Sequence, residues 1–504
     1  MINRNNAGLT IFSVKNTALL WWHVSWVRSV RCFGCNHPSV LVGLALTYTR
    51  IGIDFCLDGF SPMRRVGLLW FNNDLRISDN LTLLKASQDV DQLICLAVVP
   101  SEAVAYDKLK PFALSSYRRQ FLNDSLDDLD RNLNTLGQQL IVSQQSIEDS
   151  VSELITQCNI THVYCSHIDG VYEQKQWQSL TQRYPMIDFH QVSNNRLFEP
   201  NQLPFSTAEL PNSFSKFRRK VETIEVINAV SAPKSLPPRP PLKAKPDSNG
   251  IHLHEHSQGL FKGGESSAQK HLTDYFLSRL ASTYKDTRNG LDGMDYSTKF
   301  SPWLANGCLS PRQVLTRLRQ YEQQVERNDS TYWIYFELLW REYFKYYADK
   351  YGQRLYAFSG ISNLRPTTSF YPQRFKKWCN GNTPYPIVNA CMNQLNSTGY
   401  MSNRGRQLVA SCLVHELNLD WRYGASYMEQ QLIDYDVASN WGNWQYLAGV
   451  GADPRGHRHF DLKKQTQIYD PNGDFIRRWQ GDQGDTMLDS NDIADWPITT
   501  PTHR

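Results

Sequence analysis

Residues 396–446 read NSTGYMSNRGRQLVASCLVHELNLDWRYGASYMEQQLIDYDVASNWGNWQY, and this stretch decides the fold class of the carboxyl-terminal half. Its polar and aromatic side chains recur at spacings of three and four residues, which place them on common faces of helices. The residues with this spacing are Asn403, Arg406, Gln407, Asp436, Asn440 and Trp444. Inside an otherwise apolar helical region, such a set predicts either a satisfied polar core or the wall of a site for a large ligand.

The composition indicates a globular protein of several domains. A chain of 504 residues can form two or three domains that each bury a core. The formal net charge of +4 is too small to indicate a nucleic-acid partner by itself, although a locally basic surface is compatible with it. The 14 tryptophans exceed ordinary usage and favour stacking or electron transfer.

Metal binding and membrane insertion are not expected. The ten cysteines are scattered, mostly in apolar segments, so reduced thiols are the expected state. Cys32 and Cys35 have the spacing of half a zinc site, but no second pair accompanies them. No apolar run is long enough to span a bilayer.

Residues 1–62 form an extension with an unusual charge pattern. No acidic residue precedes Asp54, as in organelle transit peptides, but Met63 stands directly before the first apolar strand. The extension is therefore interpreted as a poorly ordered appendage or the product of an upstream start. We expect a cytoplasmic protein, with organelle targeting by residues 1–62 as the alternative.

Hydrophobic patterning divides the rest of the chain into four parts. Over residues 63–192, apolar runs such as VGLLWF and LICLAVV alternate with amphipathic stretches, which predicts an α/β domain with a doubly wound parallel sheet. Residues 193–265 are interpreted as a proline-rich linker that contains the basic and aromatic segment NSFSKFRRKV. Residues 266–480 are predicted to be all-helical, and residues 481–504 to be a loosely held acidic tail.

Three stretches resemble the photolyase/cryptochrome family, and most of all its cryptochrome DASH branch. They are residues 396–446, residues 287–312 (TRNGLDGMDYSTKFSPWLANGCLSPR) and residues 65–80 (RVGLLWFNNDLRISDN). The resemblance extends over residues 63–479. It implies that the helical domain binds FAD.

The segment YSTKFS, residues 296–301, offers hydroxyl groups, an ammonium and main-chain N–H groups just before a helix. Ser301 is expected to cap this helix and Pro302 to begin it, which forms an anion site, although any capped helix has one. The resemblance implies that these residues hold the FAD phosphates. The residues implied to bind FAD are Tyr284, Ser297, Thr298, Lys299, Phe300, Ser301, Arg341, Asn403, Arg406, Asp434, Asp436 and Asn440.

Asp434 and Asp436 by themselves are compatible with a paired-carboxylate acid/base site. No histidine, nucleophile or metal cluster accompanies them, so hydrolysis is poorly supported. The resemblance implies instead that they contact FAD and that Asn440 faces flavin N5. A neutral amide there does not repel an anionic reduced flavin.

Glu337, Trp340 and Arg341 share one helical face by their spacing. Glu337 and Arg341 are either a surface ion pair or part of a buried site in which the acid can protonate. The resemblance implies that Glu337 hydrogen-bonds a thymine dimer and that Trp340 stacks on it. Gln407 and Tyr446 replace residues of duplex-specific photolyases and complete the implied DNA contacts.

Trp444 and Trp421 match the first two tryptophans of the family's photoreduction chain. Thr368 stands at the third position, so Trp378 or Tyr371 is expected to complete the route. An antenna pigment, 5,10-methenyltetrahydrofolate, is a further expectation. Its contacts would be Asp124, which is shorter than the family's glutamate, and Glu173.

The function predicted is that of a monomeric deoxyribodipyrimidine photo-lyase that repairs cyclobutane pyrimidine dimers in damaged, single-stranded DNA. Glu337, Asn440, Trp444 and Trp421 are the residues expected to take part in its chemistry. The alternative is a blue-light photoreceptor and DNA-binding transcriptional regulator with little repair activity. A third possibility, a nucleotide-binding α/β enzyme unrelated to light, predicts a colourless protein.

Overall fold

The computed structural model describes residues 64–99, 114–242, 259–452 and 459–489. The chain divides into residues 1–63 and a compact unit of residues 64–504. The predictions for the amino-terminal extension and for residues 490–504 of the tail lie outside the described residues.

A five-stranded sheet forms the first part of the compact unit. Its strands are β1 (Val66–Phe71), β2 (Gln92–Val98), β3 (Leu140–Ser143), β4 (His162–Ser166) and β5 (Asp188–Val192). All neighbouring strands are parallel, in the order β3-β2-β1-β4-β5. The order reverses at β1, so the crossovers place helices on both faces. The predicted doubly wound sheet is confirmed.

The central strands β1 and β2 are buried on both faces of the sheet, to which successive side chains point in turn. Leu69 and Phe71 of β1 join the apolar cluster that includes residues of α1 (Leu81–Asp89) and α2 (Ser116–Thr135). Leu68 and Trp70 join a second cluster with α3 (Ile147–Cys158) and α4 (Val171–Arg183). This double burial explains why the strands are continuous apolar runs in the sequence.

The second part of the unit is helical, as predicted. Its helices are α5 (Phe214–Val221), α6 (Glu265–Leu277), α7 (Tyr284–Thr287), α8 (Ser301–Asn306), α9 (Pro311–Gln324), α10 (Asp329–Tyr351), α11 (Pro372–Cys379), α12 (Pro386–Thr398), α13 (Asn403–Ser411), α14 (Trp421–Gln431), α15 (Val437–Leu447), α16 (Leu462–Tyr469) and α17 (Asp474–Arg478). Ser310 and Asn328 close capping boxes at the starts of α9 and α10. Within the described residues, no helix has the length and apolar character needed to cross a bilayer.

The loop after β1 joins the sheet to the helical part through buried polar contacts. Arg76 is fully buried and donates hydrogen bonds to the carbonyl oxygens of Gly307 and Asp79, each at 2.8 Å. The Asp79 carboxylate accepts the Ser310 hydroxyl at 2.5 Å and the Arg312 Nε at 3.0 Å. Buried charges are tolerated when each is paired, so this loop defines how α9 meets the sheet.

The first nine residues of the acidic tail are held against the helical part. The Asn389 side chain donates to the Gly481 carbonyl at 3.1 Å, and Arg374 pairs with Asp489 through its Nε at 2.6 Å. This differs from the expected loose tail, because the acidic residues find cationic partners on α11 that no local pattern indicates.

Asp79→Asn tests the buried contacts that connect the sheet to the helical part. Asparagine tolerates the left-handed φ of 51° at this position but removes the charge that faces Arg312. We expect the free energy of unfolding to fall by about 3 kcal/mol, because a buried guanidinium loses its closest carboxylate. Urea denaturation measures the change. Asp188→Asn, at a 73% exposed carboxylate, should cost less than about 1 kcal/mol, and equal losses in both variants would contradict the prediction.

Candidate FAD and DNA site

A buried ammonium without a carboxylate partner marks one end of the candidate site. Lys299 is 5% exposed and has a left-handed φ of 54° just before α8. Its Nζ lies 3.5 Å from the Tyr400 hydroxyl and 4.9 Å from the centre of that ring. In the part of the chain that the structure describes, no carboxylate pairs with it. A buried cation is stable beside an anion, so these surroundings fit a ligand that carries phosphate.

A second cation, Arg406, lies over the same tyrosine ring but is already neutralised. Its guanidinium is 5.7 Å from the centre of the Tyr400 ring. It donates two hydrogen bonds to Asp434, at 2.9 and 2.7 Å, and the Asp434 side chain is 1% exposed. Of the two cations at Tyr400, Lys299 is therefore the one left for a ligand.

Asp436 is held charged by a lysine from α10. One carboxylate oxygen accepts the main-chain N–H of Ser439 at 2.8 Å and so caps α15. The other binds Lys345, which also binds Asp169 of the α/β part at 2.6 Å. Burial raises the pKa of Asp436, but the Lys345 ammonium and the Arg341 guanidinium together more than reverse this, so the pKa lies below its ordinary value. A ligand that contacts Asp436 would add to the bonds that this carboxylate already forms with Ser439 and Lys345.

Asn440 lies on the next turn of α15. Its side-chain amide donates to the Ala425 carbonyl of α14 at 3.0 Å, which orients it. The two helices pack closely there, since a Cβ placed on Gly424 would come within 2.3 Å of the Trp444 ring. The amide and the tryptophan, four residues apart, are therefore held by α14.

Tyr284 and Arg341 extend the candidate site towards the linker. Tyr284 begins α7 and is 7% exposed. Arg341 donates to the carbonyl oxygens of Asn195 at 2.8 Å and Leu304 at 3.3 Å. Asn403 is exposed at the start of α13, and the structure describes no hydrogen bond of its side chain.

The segment before α8 differs from the prediction in one detail. Phe300 is the cap and Ser301 the first helical residue, because the Phe300 backbone already has helical angles and no side chain caps the helix. Phe300 is buried, while Ser297 and Thr298 are half-buried. His271 Nε2 lies 2.9 Å from the Thr298 carbonyl, which ties the turn to α6.

Glu337 forms an ion pair with a residue from another part of the chain. Its Oε1 accepts a hydrogen bond from Arg288, which follows α7. Arg341, the partner suggested by spacing, instead donates to main-chain carbonyl groups. Burial raises the pKa of Glu337, although Arg288 works against it. The pKa of this carboxyl group therefore lies above its ordinary value even though it forms an ion pair.

Four rings of the described residues contact Trp340, and two of them, Tyr343 and Phe344, belong to the same helix. Phe214 of α5 stacks on it at 3.8 Å and 12°, and Tyr446 of α15 meets it edge-on at 6.1 Å and 74°. Gln407 is half-buried on α13. The structure thus brings Trp340 and Tyr446 together, while no described contact connects Gln407 to them.

The tryptophans expected to carry electrons form two edge-to-face pairs. Trp444 lies 6.3 Å from Trp378, and Trp421 lies 5.8 Å from Trp441. Trp378 is fully buried, and Phe375 packs 6.1 Å from it. The other expected candidate, Tyr371, is covered by Arg374 at 4.6 Å from its centre.

The two expected antenna residues lie on different helices. Asp124 of α2 accepts from Gln120 at 2.8 Å and from the Gly263 N–H at 3.4 Å. Glu173 of α4 is close to Glu429 of α14. Burial raises the pKa of Glu429 to about 7, and the nearby Glu173 carboxylate adds to this effect.

A cleft of about 550 Å³ opens at the carboxyl ends of β4 and β5. His167, Asp169 and Asp349 line it, and their ligand atoms lie within 4.8 Å of one another. Arg196 binds both carboxylates, at 3.0 and 2.6 Å. Protein cations already neutralise the acids, so this trio has the composition of an ion-pair network.

Sequence reasoning missed Lys345, Arg288, Tyr400 and Phe214. Lys345 was detectable as the one cation in the aromatic run EYFKYY. Phe214 lies in the basic and aromatic segment NSFSKFRRKV of the linker, for which the sequence indicated no contact with the expected substrate face. Arg288 and Tyr400 have no local signal, since their roles depend on contacts with distant residues.

Lys345→Met tests the network behind Asp436. The Lys345 side chain is 4% exposed and serves two aspartates, so we expect a loss of about 3–5 kcal/mol in the free energy of unfolding at neutral pH. The pKa values of Asp169 and Asp436 lie below normal, so their stabilisation is complete above about pH 5 and is lost as the pH falls further.

The matched control is Lys270→Met, at a 78% exposed lysine, which should cost less than about 1 kcal/mol. Urea denaturation between about pH 3 and pH 7 measures both effects. The Lys345 variant should show a weaker loss of stability in acid than the parent. An unchanged acid dependence would refute the assignment.

Two family models match this chain. The model described as "DNA photolyase" covers residues 67–240, and "FAD binding domain of DNA photolyase" covers residues 333–486. The match to the FAD-binding model includes Arg406, Asp434 and Asn440. The match to the photolyase model includes the whole sheet from Gly67 onward.

Similar proteins agree with both models. A cryptochrome DASH of Idiomarina loihiensis is 54% identical over 86% of this chain and 97% of its own length, and one of Vibrio parahaemolyticus is 53% identical over 87% and 98%. The crystal structure of the Synechocystis sp. PCC6803 cryptochrome matches with a TM-score of 0.78 and 38% identity, covering 83% of this chain and 89% of that one. A class III photolyase from Agrobacterium tumefaciens matches with a TM-score of 0.71 and 26% identity over 84% and 87%. The resemblance seen in the sequence is confirmed, and the chain belongs to the cryptochrome DASH branch of the photolyase/cryptochrome family.

Proposed function

We propose that this chain is an FAD-dependent, blue-light-driven photolyase that repairs cyclobutane pyrimidine dimers in single-stranded DNA. The observation that carries the proposal is Lys299, a buried ammonium with no carboxylate partner among the described residues, next to a turn of hydroxyl and main-chain N–H groups. These groups suit the pyrophosphate of a dinucleotide. Trp340 and Glu337 supply an aromatic face and a proton donor for a damaged base.

The residues that would hold FAD divide by chemistry. Lys299, Ser297 and Thr298 would hold phosphate, Arg406 and Asp434 would hold polar groups nearby, and Asn440 would meet the redox ring. When bound, FAD supplies the light-driven electron transfer that splits the dimer. Asn440 is uncharged, so it does not repel the electron-rich ring, and its bond to the Ala425 carbonyl keeps it in place.

Glu337 would act on the pyrimidine carbonyl. Its raised pKa favours the protonated form, which can donate a hydrogen bond. Before this, Arg288 must release the carboxyl group. Trp340 would stack on the dimer with Phe214 supporting its other face, while Tyr446 closes one side. A base already unpaired enters without the few kcal/mol that flipping from a duplex costs.

The second candidate is a blue-light receptor that binds DNA with little repair. The Arg288–Glu337 contact favours it to some degree, because the proposed donor is engaged. The two functions share the flavin and differ in turnover. A monomer is proposed for both.

Antenna binding also remains a proposal, with Asp124 and Glu173 as contacts for methenyltetrahydrofolate.

The deciding experiment illuminates the purified protein with dimer-containing oligonucleotides, single-stranded and duplex. We expect repair under blue light and none in the dark, with the single strand repaired faster. Glu337→Gln keeps a donor and should keep most activity, whereas Glu337→Ala should lose about tenfold, the equivalent of one hydrogen bond. Dark binding without light-dependent repair would favour the receptor, and a protein without flavin would refute both.

Trp378→Phe tests the electron route, because Trp378 is the buried neighbour of Trp444. Phenylalanine fills most of the same space but is much harder to oxidise. With a thiol as external donor, we expect slower photoreduction of the flavin, followed by its absorbance, and unchanged repair once the flavin is reduced chemically. Trp177→Phe, at a buried tryptophan of the α/β part, is the control. Equal photoreduction rates in the parent and both variants would exclude Trp378 from the route.

A further inference from the structure

A line of aromatic rings leads from the expected electron route to the α/β part. Trp421 meets Trp441 edge-on at 5.8 Å and 76°, and Trp441 lies 4.6 Å from the ring of Tyr356. Tyr356 in turn meets Tyr172 of α4 at 5.6 Å. The first three rings are buried, whereas Tyr172 is half-buried. Trp441 is thus in direct contact with Trp421, in a chain where Thr368 stands at the position expected for a third tryptophan.

The indole N–H group of Trp441 has a different kind of partner from those of two other tryptophans on the expected route. Trp421 and Trp378 donate to main-chain carbonyl oxygens, at 3.1 and 3.0 Å. An amide carbonyl is too weak a base to take the proton that an oxidised indole releases. Trp441 instead donates to the Tyr435 hydroxyl at 3.2 Å.

Glu429 of α14 is a base within reach of the Trp441 indole. Its side chain is buried and forms hydrogen bonds with Tyr435 and Trp441. Burial raises the pKa of Glu429 to about 7, and the nearby Glu173 carboxylate acts in the same direction, although Arg118 works against both. A substantial fraction of the protein therefore carries Glu429 as a carboxylate near neutral pH.

The charged and titratable groups that face Glu429 come from several elements. Arg118 of α2 lies 4.7 Å from the centre of the Tyr435 ring and donates to the main-chain carbonyl of Glu429. Burial raises the pKa of Tyr356, and the carboxylates of Glu173 and Glu429 raise it further, so this tyrosine faces both acids. Two acids and one cation share this buried space, so the acids bind and release protons near neutral pH.

We propose that Trp441 is an electron donor to Trp421 and that Glu429 is the base that accepts the Trp441 indole proton. Trp421, Trp441 and Glu429 are called the Trp441 branch. The branch runs beside the route through Trp378, and it rests on the proposed function because it needs light-driven electron transfer to a flavin.

The step in the Trp441 branch is balanced in electrons and protons. Once Trp421 has lost an electron to the light-driven reaction, Trp441 gives it one electron. The N–H bond of the oxidised Trp441 breaks, an O–H bond forms on the Glu429 carboxylate, and a neutral indole radical remains. An external thiol later returns the electron and is itself oxidised, while Glu429 returns the proton.

Loss of the proton makes the oxidised state of Trp441 long-lived. A neutral indole radical attracts an electron less strongly than its cation does, so the electron returns to it more slowly. Only the carboxylate form of Glu429 can accept the proton, so the yield of the neutral radical should rise as the pH rises through about 7.

Glu429→Gln tests the base by time-resolved absorption after a light flash, because the charged and neutral indole radicals have different visible spectra. Glutamine keeps a hydrogen-bonding side chain of the same shape but does not take the proton. We expect deprotonation of the radical to slow about a hundredfold, at the lower end of what a positioned base contributes, and the pH dependence of the yield to disappear. The same spectra and rates in parent and variant would overturn the proposal.

Glu173→Gln is the matched control, because it makes the same chemical change at the neighbouring acid. Without the Glu173 charge the pKa of Glu429 falls, so the neutral radical should still form and the midpoint of its pH dependence should move below about 7. An equal loss of the neutral radical in both variants would rule out Glu429 as the specific acceptor.

Trp441→Phe tests the donor, since phenylalanine is much harder to oxidise. The neutral indole radical should be absent after the flash, and photoreduction with a thiol should be slower without being abolished, because the route through Trp378 is intact. Trp177→Phe, at a buried tryptophan of the α/β part, should leave the radical as in the parent. A parental radical signal in Trp441→Phe would remove Trp441 from the branch.

A measurement in the dark tests the contact between Trp441 and Glu429 without any light reaction. Isotopically labelled tryptophan gives one indole N–H signal in nuclear magnetic resonance for each of the 14 tryptophans, and the Trp441 signal is the one that Trp441→Phe removes. This signal should shift with pH around a midpoint near 7 in the parent and stay constant in Glu429→Gln. A parental signal that ignores pH would contradict the proposed contact.

Repair of dimers by protein whose flavin has been reduced chemically separates this inference from the proposed function. Absence of repair by the parent would refute the proposed function, whereas the radical spectra and the Trp441 signal would still decide the branch. Repair by the parent, together with a radical that Glu429→Gln leaves unchanged, would refute only the Trp441 branch.

Discussion

The ammonium of Lys345, held between Asp169 of the α/β part and Asp436 at the start of α15, is the interaction on which the site depends. Arg196 continues the network by pairing with Asp169 and Asp349. Buried ion pairs add little net stability when compared with apolar packing, but an alternative arrangement leaves a charge unpaired. The network therefore specifies one position of α15 relative to α10, and with it the positions of Asn440 and Trp444.

Two groups of the candidate site differ from these paired charges. Among the described residues, Lys299 is buried without a carboxylate partner, and burial raises the pKa of Glu337 despite its arginine neighbour, as it also does for Glu429. Groups of this kind cluster where a protein binds or reacts with something else. Lys299 contacts Tyr400, and Glu337 contacts Arg288.

Aromatic residues have three separate roles in the helical part. Trp340 is proposed to offer a face for the damaged base, Trp444 and Trp378 form a buried pair, and Trp333 stacks on Phe336. The buried indole of Trp378 donates its N–H to the Val409 carbonyl at 3.0 Å, so it is satisfied without solvent. Phe214 connects the roles, because it supports Trp340 and at the same time orients the basic face of α5.

The sequence by itself determined the parallel sheet, the helical second part, the family and the set of residues proposed to hold FAD. These features follow from local signals in the sequence. Strands buried on both faces are continuous apolar runs, and helices repeat their apolar residues every three to four positions. Each of the three family motifs is one contiguous stretch of sequence. Only the tertiary structure decided that Lys345 pairs with Asp169 across 176 positions, that Arg288 rather than Arg341 meets Glu337, and that α5 supports Trp340. The physical reason is that a charge or ring takes the partner that folding places nearest, and sequence spacing does not record that distance.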